Sequence, residues 1–180
     1  MDQFRAPTSM TPSELGDSLA RLVWESFTDF LAQDDAEIGL EELGIPTHDG
    51  IPNEAAVEES LIFLMWAHTR GAQLAFTGRT KQVTLKKGLD SLHRAVFEDL
   101  VKNGTPAAHL PLFEQKIAAR YTEYHRAAAE SDTALGEAVM RYLATSGSAN
   151  PGVAHAVTNR ARAVANPLRD FLEEVELIED

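Results

Sequence analysis

Apolar residues recur every three to four positions along most of the chain, which is the spacing of one face of an α-helix. In the first such stretch they form one stripe that includes Leu19 and a second that includes Trp24. Thr11 and Glu14 have the spacing of a capping box, and Pro12 suits the first helical position. The pattern therefore predicts a helix that begins at Pro12 and packs on two sides.

Four later stretches have the same periodicity. Residues 61–67 (LIFLMWA) are apolar without interruption, so the helix predicted for residues 53–76 should be the central and most buried one. Stripes that begin at Leu85, Phe113 and Leu135 predict three more helices. These segments account for most of the apolar residues of the chain.

The last part of the chain contains two Asn-Pro pairs, Asn150-Pro151 and Asn166-Pro167. Asn is a good N-cap and Pro suits the first helical turn, so the pairs predict either two short helices or one kinked helix. Sustained alternation of β-branched residues and repeats of about 20–50 residues are both missing. The predicted fold class is therefore all-α, an irregular antiparallel bundle of five to seven helices.

We expect residues 11–180 to form a single helical domain after a flexible N-terminus, residues 1–10. Within it, residues 34–52 contain Gly and Pro between acidic side chains, which predicts an acidic loop or a short helix. Residues 77–84 are polar and predict a basic loop. A chain of 180 residues is long enough to bury a hydrophobic core without disulfides or a metal.

Composition excludes several classes of chemistry. The chain has no cysteine, so thiolate catalysis, disulfides and Cys-ligated metal centres are excluded. The first residues lack an apolar leader, and the longest apolar run is far shorter than the about 20 residues that span a bilayer. We therefore expect a cytoplasmic protein that does not contact the membrane.

The net charge of −12 is concentrated at one end. Residues 1–60 carry 14 acidic and two basic side chains, whereas residues 61–180 carry 14 of each. Nucleic-acid binding depends on clustered Lys and Arg, so we expect no nucleic acid among the partners. A basic protein partner suits the acidic N-terminal third better.

Five residues are candidates for a ligand pocket. His68 falls at the centre of the apolar stripe of the predicted central helix, where a histidine must find a hydrogen-bond partner. The other four are His93, Tyr121, Tyr124 and His125. One interpretation is a structural polar network, in which tyrosine hydroxyls satisfy the histidines across the core, and the other is a pocket in which the same groups orient a small ligand.

Two acidic pairs, Glu58-Glu59 and Glu98-Asp99, resemble the carboxylate clusters of MazG-type nucleotide pyrophosphohydrolases, which are all-α. The resemblance implies Mg²⁺ between facing helices and phosphates held by Arg79, Lys81, Lys86 and Lys87. Because short acidic pairs are common on helix surfaces, our main expectation is no metal and no cofactor.

Trp24, Phe27 and Leu31 lie on the second stripe of the first helix and are candidates for an interface. This extra apolar surface, together with the acidic charge, favours a helical protein-binding or assembly module that forms a homo-oligomer. The alternative is a helical enzyme or small-ligand receptor, for example a Mg-dependent nucleotide or phosphate-ester hydrolase, built around His68, His93, Tyr121 and His125. Whether these side chains converge separates the two hypotheses.

Overall fold

A computed structural model describes residues 8–31, 47–48, 51–52, 54–143 and 151–179. These residues form an all-α bundle, as the periodicity predicts, with six α-helices among them. The helices are α1 (Pro12–Leu31), α2 (Glu54–Phe76), α3 (Gln82–Lys102), α4 (Leu110–Glu130), α5 (Asp132–Leu143) and α6 (Pro151–Leu172). A single turn of 3-10 helix, Ala107–His109, precedes α4.

Helix α2 lies at the centre of the bundle. It contacts α1, α4, α5 and α6, and each residue from Glu59 to Thr69 is buried. Phe63, Leu64 and Met65 are consecutive and have no exposed surface, so neighbours cover the helix on every side. No face of this segment meets water, which explains why the sequence of residues 61–67 is apolar without interruption.

Helices α1 and α3 pack closely along their length through two glycines. A Cβ atom on Gly16 would collide with Ser91 and lie 2.7 Å from the backbone nitrogen of Leu92. A Cβ atom on Gly88 would lie 2.9 Å from Leu15 Cδ2. Each helix therefore presents a position without a side chain to the other, which brings the two backbones together.

Residues Pro151–Leu172, near the C-terminus, form one long helix. Helix α6 runs through Asn166-Pro167 without a break, so the second Asn-Pro pair does not begin a new helix. The ring of Pro167 is exposed, whereas Leu168 beside it is buried and lies against Gly71 of α2. Packing against α2 thus stabilises α6 as a continuous helix at Pro167.

Two short strand pairs accompany the helices. Strand β1 (Thr8–Met10) pairs in parallel with β4 (Val175–Leu177), so residues near the two chain ends are hydrogen-bonded to each other. Strands β2 (Thr47–His48) and β3 (Ile51–Pro52) pair antiparallel on either side of Asp49-Gly50. The rest of the predicted acidic segment, residues 34–46, lies outside the described residues, as do residues 1–7.

The predicted basic loop is shorter than expected. Residues 82–84 belong to the first turn of α3, and Thr84 is buried there. Arg79 donates hydrogen bonds to the carbonyl oxygens of Ala75 (2.6 Å), Leu172 (2.5 Å) and Val175 (3.0 Å). The guanidinium thereby joins the ends of α2 and α6 to β4, a contact between segments far apart in the sequence.

Within the part of the chain that the structure describes, no helix is both long and apolar enough to span a bilayer.

The close packing of α1 on α3 gives a first testable prediction. Gly16→Ala inserts a methyl group where backbone atoms already fill the space, so the free energy of unfolding should fall by about 1–3 kcal/mol. Urea unfolding followed by circular dichroism measures this change. Ser13→Ala on the exposed side of the same helix is the control and should change the stability by less than about 0.5 kcal/mol. Equal stability of G16A and the parent protein would contradict the packing of α1 on α3.

Candidate functional site

The five candidate pocket residues lie on three helices, with His68 on α2, His93 on α3 and the other three on α4. The Tyr121 hydroxyl and His93 Nε2 are 2.9 Å apart, so two of the candidates form a direct hydrogen bond between α3 and α4. His93 Nδ1 lies 2.6 Å from the Leu89 carbonyl oxygen, which can only accept a hydrogen bond. Nδ1 therefore carries the proton, and Nε2 accepts the hydrogen bond from Tyr121.

A row of aromatic and imidazole rings continues from this pair into the core. The ring centroids of Tyr121 and His125 are 6.4 Å apart, and those of His125 and Trp66 are 5.6 Å apart. Trp66 in turn makes an edge contact with Tyr124 at 5.8 Å. Four of the five candidates, all except His68, therefore converge on one row of rings, in which Trp66 was not predicted.

His68 has a different environment. Its Nδ1 donates a hydrogen bond of 2.7 Å to the Leu64 carbonyl one turn earlier on α2, and only 3% of the residue is exposed. Among the described residues it makes none of the ring contacts that connect the row. This geometry fits a histidine satisfied within its own helix.

Burial sets the protonation of these groups. Burial lowers the pKa of His93 below its ordinary value of 6.5, against the opposing effects of the Leu89 carbonyl and Asp90. Burial likewise lowers the pKa of His68 and raises that of Tyr121. Both histidines are therefore neutral near pH 7, and the tyrosine keeps its proton. In this state the row can donate and accept hydrogen bonds and pack against rings.

A largely buried ion pair, which was not predicted, lies beside Tyr142, whose ring contacts that of Tyr124 at 6.4 Å. Arg120 donates two hydrogen bonds to Glu59, of 2.8 and 3.0 Å, and its guanidinium lies 3.6 Å from the ring centroid of Tyr142. Glu59 is 6% exposed. Because the partners are 61 residues apart, no local pattern connects them.

The acidic residues that resemble a magnesium site have other partners. Glu58 pairs with Lys116, Glu59 with Arg120, and Asp99 accepts a 2.8 Å hydrogen bond from Trp24 Nε1. The first two contacts join α2 to α4 and the third joins α3 to α1. No group of three His, Asp or Glu side chains suited to a metal ion occurs among the described residues.

The basic residues proposed as phosphate ligands are also engaged. Lys86 pairs with Asp90 and Lys81 with Glu179. The guanidinium of Arg79 is occupied by backbone carbonyls. Three of the four basic side chains thus have structural partners.

One of the three interface candidates, Trp24, lines a groove between α1 and α3. Trp24 is half-buried, with its indole nitrogen bonded to Asp99 and its ring in edge contact with Phe27 at 5.7 Å. The side chain of Leu31 lies outside the described residues. The groove has a volume of about 780 Å³, and Trp24, Ala20 and Ala95 form its apolar part.

Charge in this groove is strongly one-sided. Its charged lining residues are Asp17, Arg21, Glu25, Asp29, Glu98 and Asp99. In the described parts of the chain, no ion pair involves Asp17, Glu25, Asp29 or Glu98. Four carboxylates therefore line the groove without a cationic partner among the residues that the structure describes. The sequence analysis predicted an acidic surface in the N-terminal third but did not place it at this groove. Glu98 and Asp99 of α3 join that surface only because α3 packs against α1.

Comparisons with protein families, with curated proteins and with solved structures found no match for this chain. The class of protein is therefore defined by the fold alone, an all-α helical bundle.

The lowered histidine pKa values give a prediction for acid stability. Below about pH 6.5 the unfolded chain binds protons that neutral His68 and His93 do not, so the free energy of unfolding should fall as the pH falls. Each histidine contributes a slope of at most about 1.4 kcal/mol per pH unit, down to its own lowered pKa. His93→Gln should reduce this slope, as measured by urea unfolding at several pH values.

His155→Gln, at an exposed position, provides the matched control and should leave the slope unchanged. If H93Q kept the full slope of the parent protein, His93 would not be held neutral by its surroundings.

Proposed function

We propose that this chain is a helical protein-binding module that binds a basic segment of a partner protein in the groove between α1 and α3. One observation carries the proposal: the groove is lined by five carboxylates and one guanidinium, and four of the carboxylates are unpaired within the described residues. A segment rich in Lys or Arg has the complementary charge.

Electrostatic attraction speeds the approach of such a basic partner and also stabilises the bound complex. A cleft lined by charge of one sign concentrates the field and attracts ligands of the opposite sign, which raises association rates at low salt. The net charge of −12 adds a long-range attraction for basic proteins. It also repels a second copy of the same acidic surface, so the groove suits a basic partner better than self-association through this face.

Trp24 supplies the apolar part of the contact. The hydrogen bond to Asp99 and the edge contact with Phe27 hold the indole at the groove. An indole is the aromatic ring over which a Lys or Arg side chain binds best, with about 0.5–1 kcal/mol at exposed sites. A basic side chain in the groove can therefore combine ring contact with a neighbouring carboxylate.

The size of the groove limits the strength of the complex. A volume of about 780 Å³ accommodates a few side chains, whereas stable protein interfaces bury about 1,200–2,000 Å² in total. We therefore expect a weak and salt-sensitive complex with a short segment. Homo-oligomerisation through another surface is compatible with this proposal and stays a separate prediction.

The triple variant Asp17→Asn, Glu25→Gln, Asp29→Asn tests the groove. Its affinity for a fluorescent peptide of alternating Lys and Ala should fall by about 3- to 100-fold, since an exposed charge pair contributes about 0.2–1 kcal/mol. Fluorescence anisotropy at low salt measures the dissociation constant. A peptide with Glu in place of Lys should not bind.

The matched control is the triple variant Glu130→Gln, Glu137→Gln, Glu174→Gln, which loses three exposed charges outside the groove. Its affinity should stay within about twofold of the parent protein. Equal losses in both variants would assign the binding to net charge alone, and absence of binding by the parent protein would overturn the proposal.

A further inference from the structure

A second and smaller cavity lies where α2, α5 and α6 meet the C-terminal half of α4. Its volume is about 170 Å³, below the about 300–1,000 Å³ of pockets for drug-sized ligands. Much of its wall is apolar and is formed by Leu74, Ala128, Leu135, Ala161 and Ala165. The cavity therefore has room for a small molecule with a short apolar part.

Trp66 lines this cavity and has an unpaired donor. The residue is 1% exposed, and its Nε1 has no hydrogen-bond partner among the residues that the structure describes. Buried N–H groups nearly always have an acceptor, because leaving water without one is costly. An acceptor atom of a bound ligand would satisfy this indole nitrogen.

Arg70 provides the charge. It lies one turn after Trp66 on α2, so the two side chains share a face of the helix and line the same cavity. In the described parts of the chain, no carboxylate pairs with Arg70, whereas Arg162 on the opposite wall pairs with Asp132. The cavity thus has one uncompensated guanidinium beside an unpaired indole N–H.

We propose that this cavity binds a small carboxylic acid with a short apolar chain, whose carboxylate is held by Arg70 and by Trp66 Nε1. A guanidinium and a planar carboxylate match each other in geometry, and charge-assisted hydrogen bonds of this kind are the strongest. The apolar wall accommodates the hydrocarbon part. Phosphate has the same kind of acceptor atoms but carries more charge and no apolar part, so it should bind less well.

The site differs from the groove between α1 and α3 in position and in the sign of its charge, so either proposal can fail without the other. Trp24→Phe leaves Trp66 as the single tryptophan of the chain and makes its fluorescence a direct report on the cavity. The W24F protein is titrated with butyrate, with its neutral analogue butyramide and with inorganic phosphate. Isothermal titration calorimetry measures the same affinities independently.

We expect saturable binding of butyrate, with butyramide and phosphate each at least about tenfold weaker. Butyramide bound as tightly as butyrate would show a cavity that selects only apolar shape, and phosphate bound as tightly would show a general anion site. Either result, or no saturable binding of butyrate, overturns the proposal.

Two substitutions in the W24F background or the parent chain separate the roles of the two donors. Arg70→Gln removes the charge from a half-buried position and should weaken butyrate binding at least about tenfold, whereas Arg126→Gln, an exposed arginine that does not line the cavity, should keep the affinity within about twofold. Trp66→Phe, read out by calorimetry in the parent chain, keeps an aromatic ring but removes the N–H, and should also weaken binding. Unchanged affinity in R70Q would overturn the assignment even if W66F failed to fold.

Discussion

The enclosure of α2 by other helices is the constraint on which the rest of the structure depends. Since no face of the segment from Glu59 to Thr69 reaches water, a polar side chain in it can be satisfied only by a partner inside the protein. Ser60 donates to the Ala56 carbonyl at 2.7 Å, and His68 donates to the Leu64 carbonyl at the same distance. Glu59, the one carboxylate of this segment, forms an ion pair with the half-buried Arg120 of α4. The central helix therefore dictates polar as well as apolar contacts of its neighbours.

This constraint decides which residues are available for function. His93, Tyr121 and the Glu59–Arg120 pair are matched to one another, so the interior groups that looked most like catalytic candidates serve as links between helices. Groups without a partner among the described residues include the carboxylates of the α1/α3 groove at the surface and, inside α2, the indole nitrogen of Trp66. Both proposals rest on these unmatched groups.

Much of the fold could be predicted from sequence because helix periodicity is local. One of the two hydrogen bonds of the predicted capping box is present, since the Glu14 amide donates to Thr11 Oγ1 at 3.2 Å. Helix α2 is the most buried helix, as its apolar run predicts. The stripes that begin at Phe113 and Leu135 predict two separate helices, and these stripes belong to α4 and α5. The sequence did not decide between two short helices and one continuous α6, because the outcome at Pro167 depends on packing against α2.

The candidate site was less predictable, for a physical reason. Tyr121 and His93 were chosen for their chemistry, but their hydrogen bond depends on the rotation of α4 relative to α3. Trp66 looked like an ordinary core residue within an apolar run, and only the packed structure leaves its nitrogen without an acceptor. Likewise, the groove carboxylates come from two helices, and Asp29, the last of those on α1, precedes Glu98 of α3 by 69 residues (98 − 29).

Hydrogen exchange resolved by residue, with and without the Lys-rich peptide, tests the central claim that partner binding is left to the α1/α3 groove because the central part of α2, Glu59 to Thr69, is enclosed. The account predicts that the α2 amides exchange most slowly in both states, because only global unfolding exposes them. It also predicts that the peptide adds protection to α1 and to the C-terminal half of α3. Fast exchange in α2, or peptide-dependent protection that avoids α1 and α3, would contradict it.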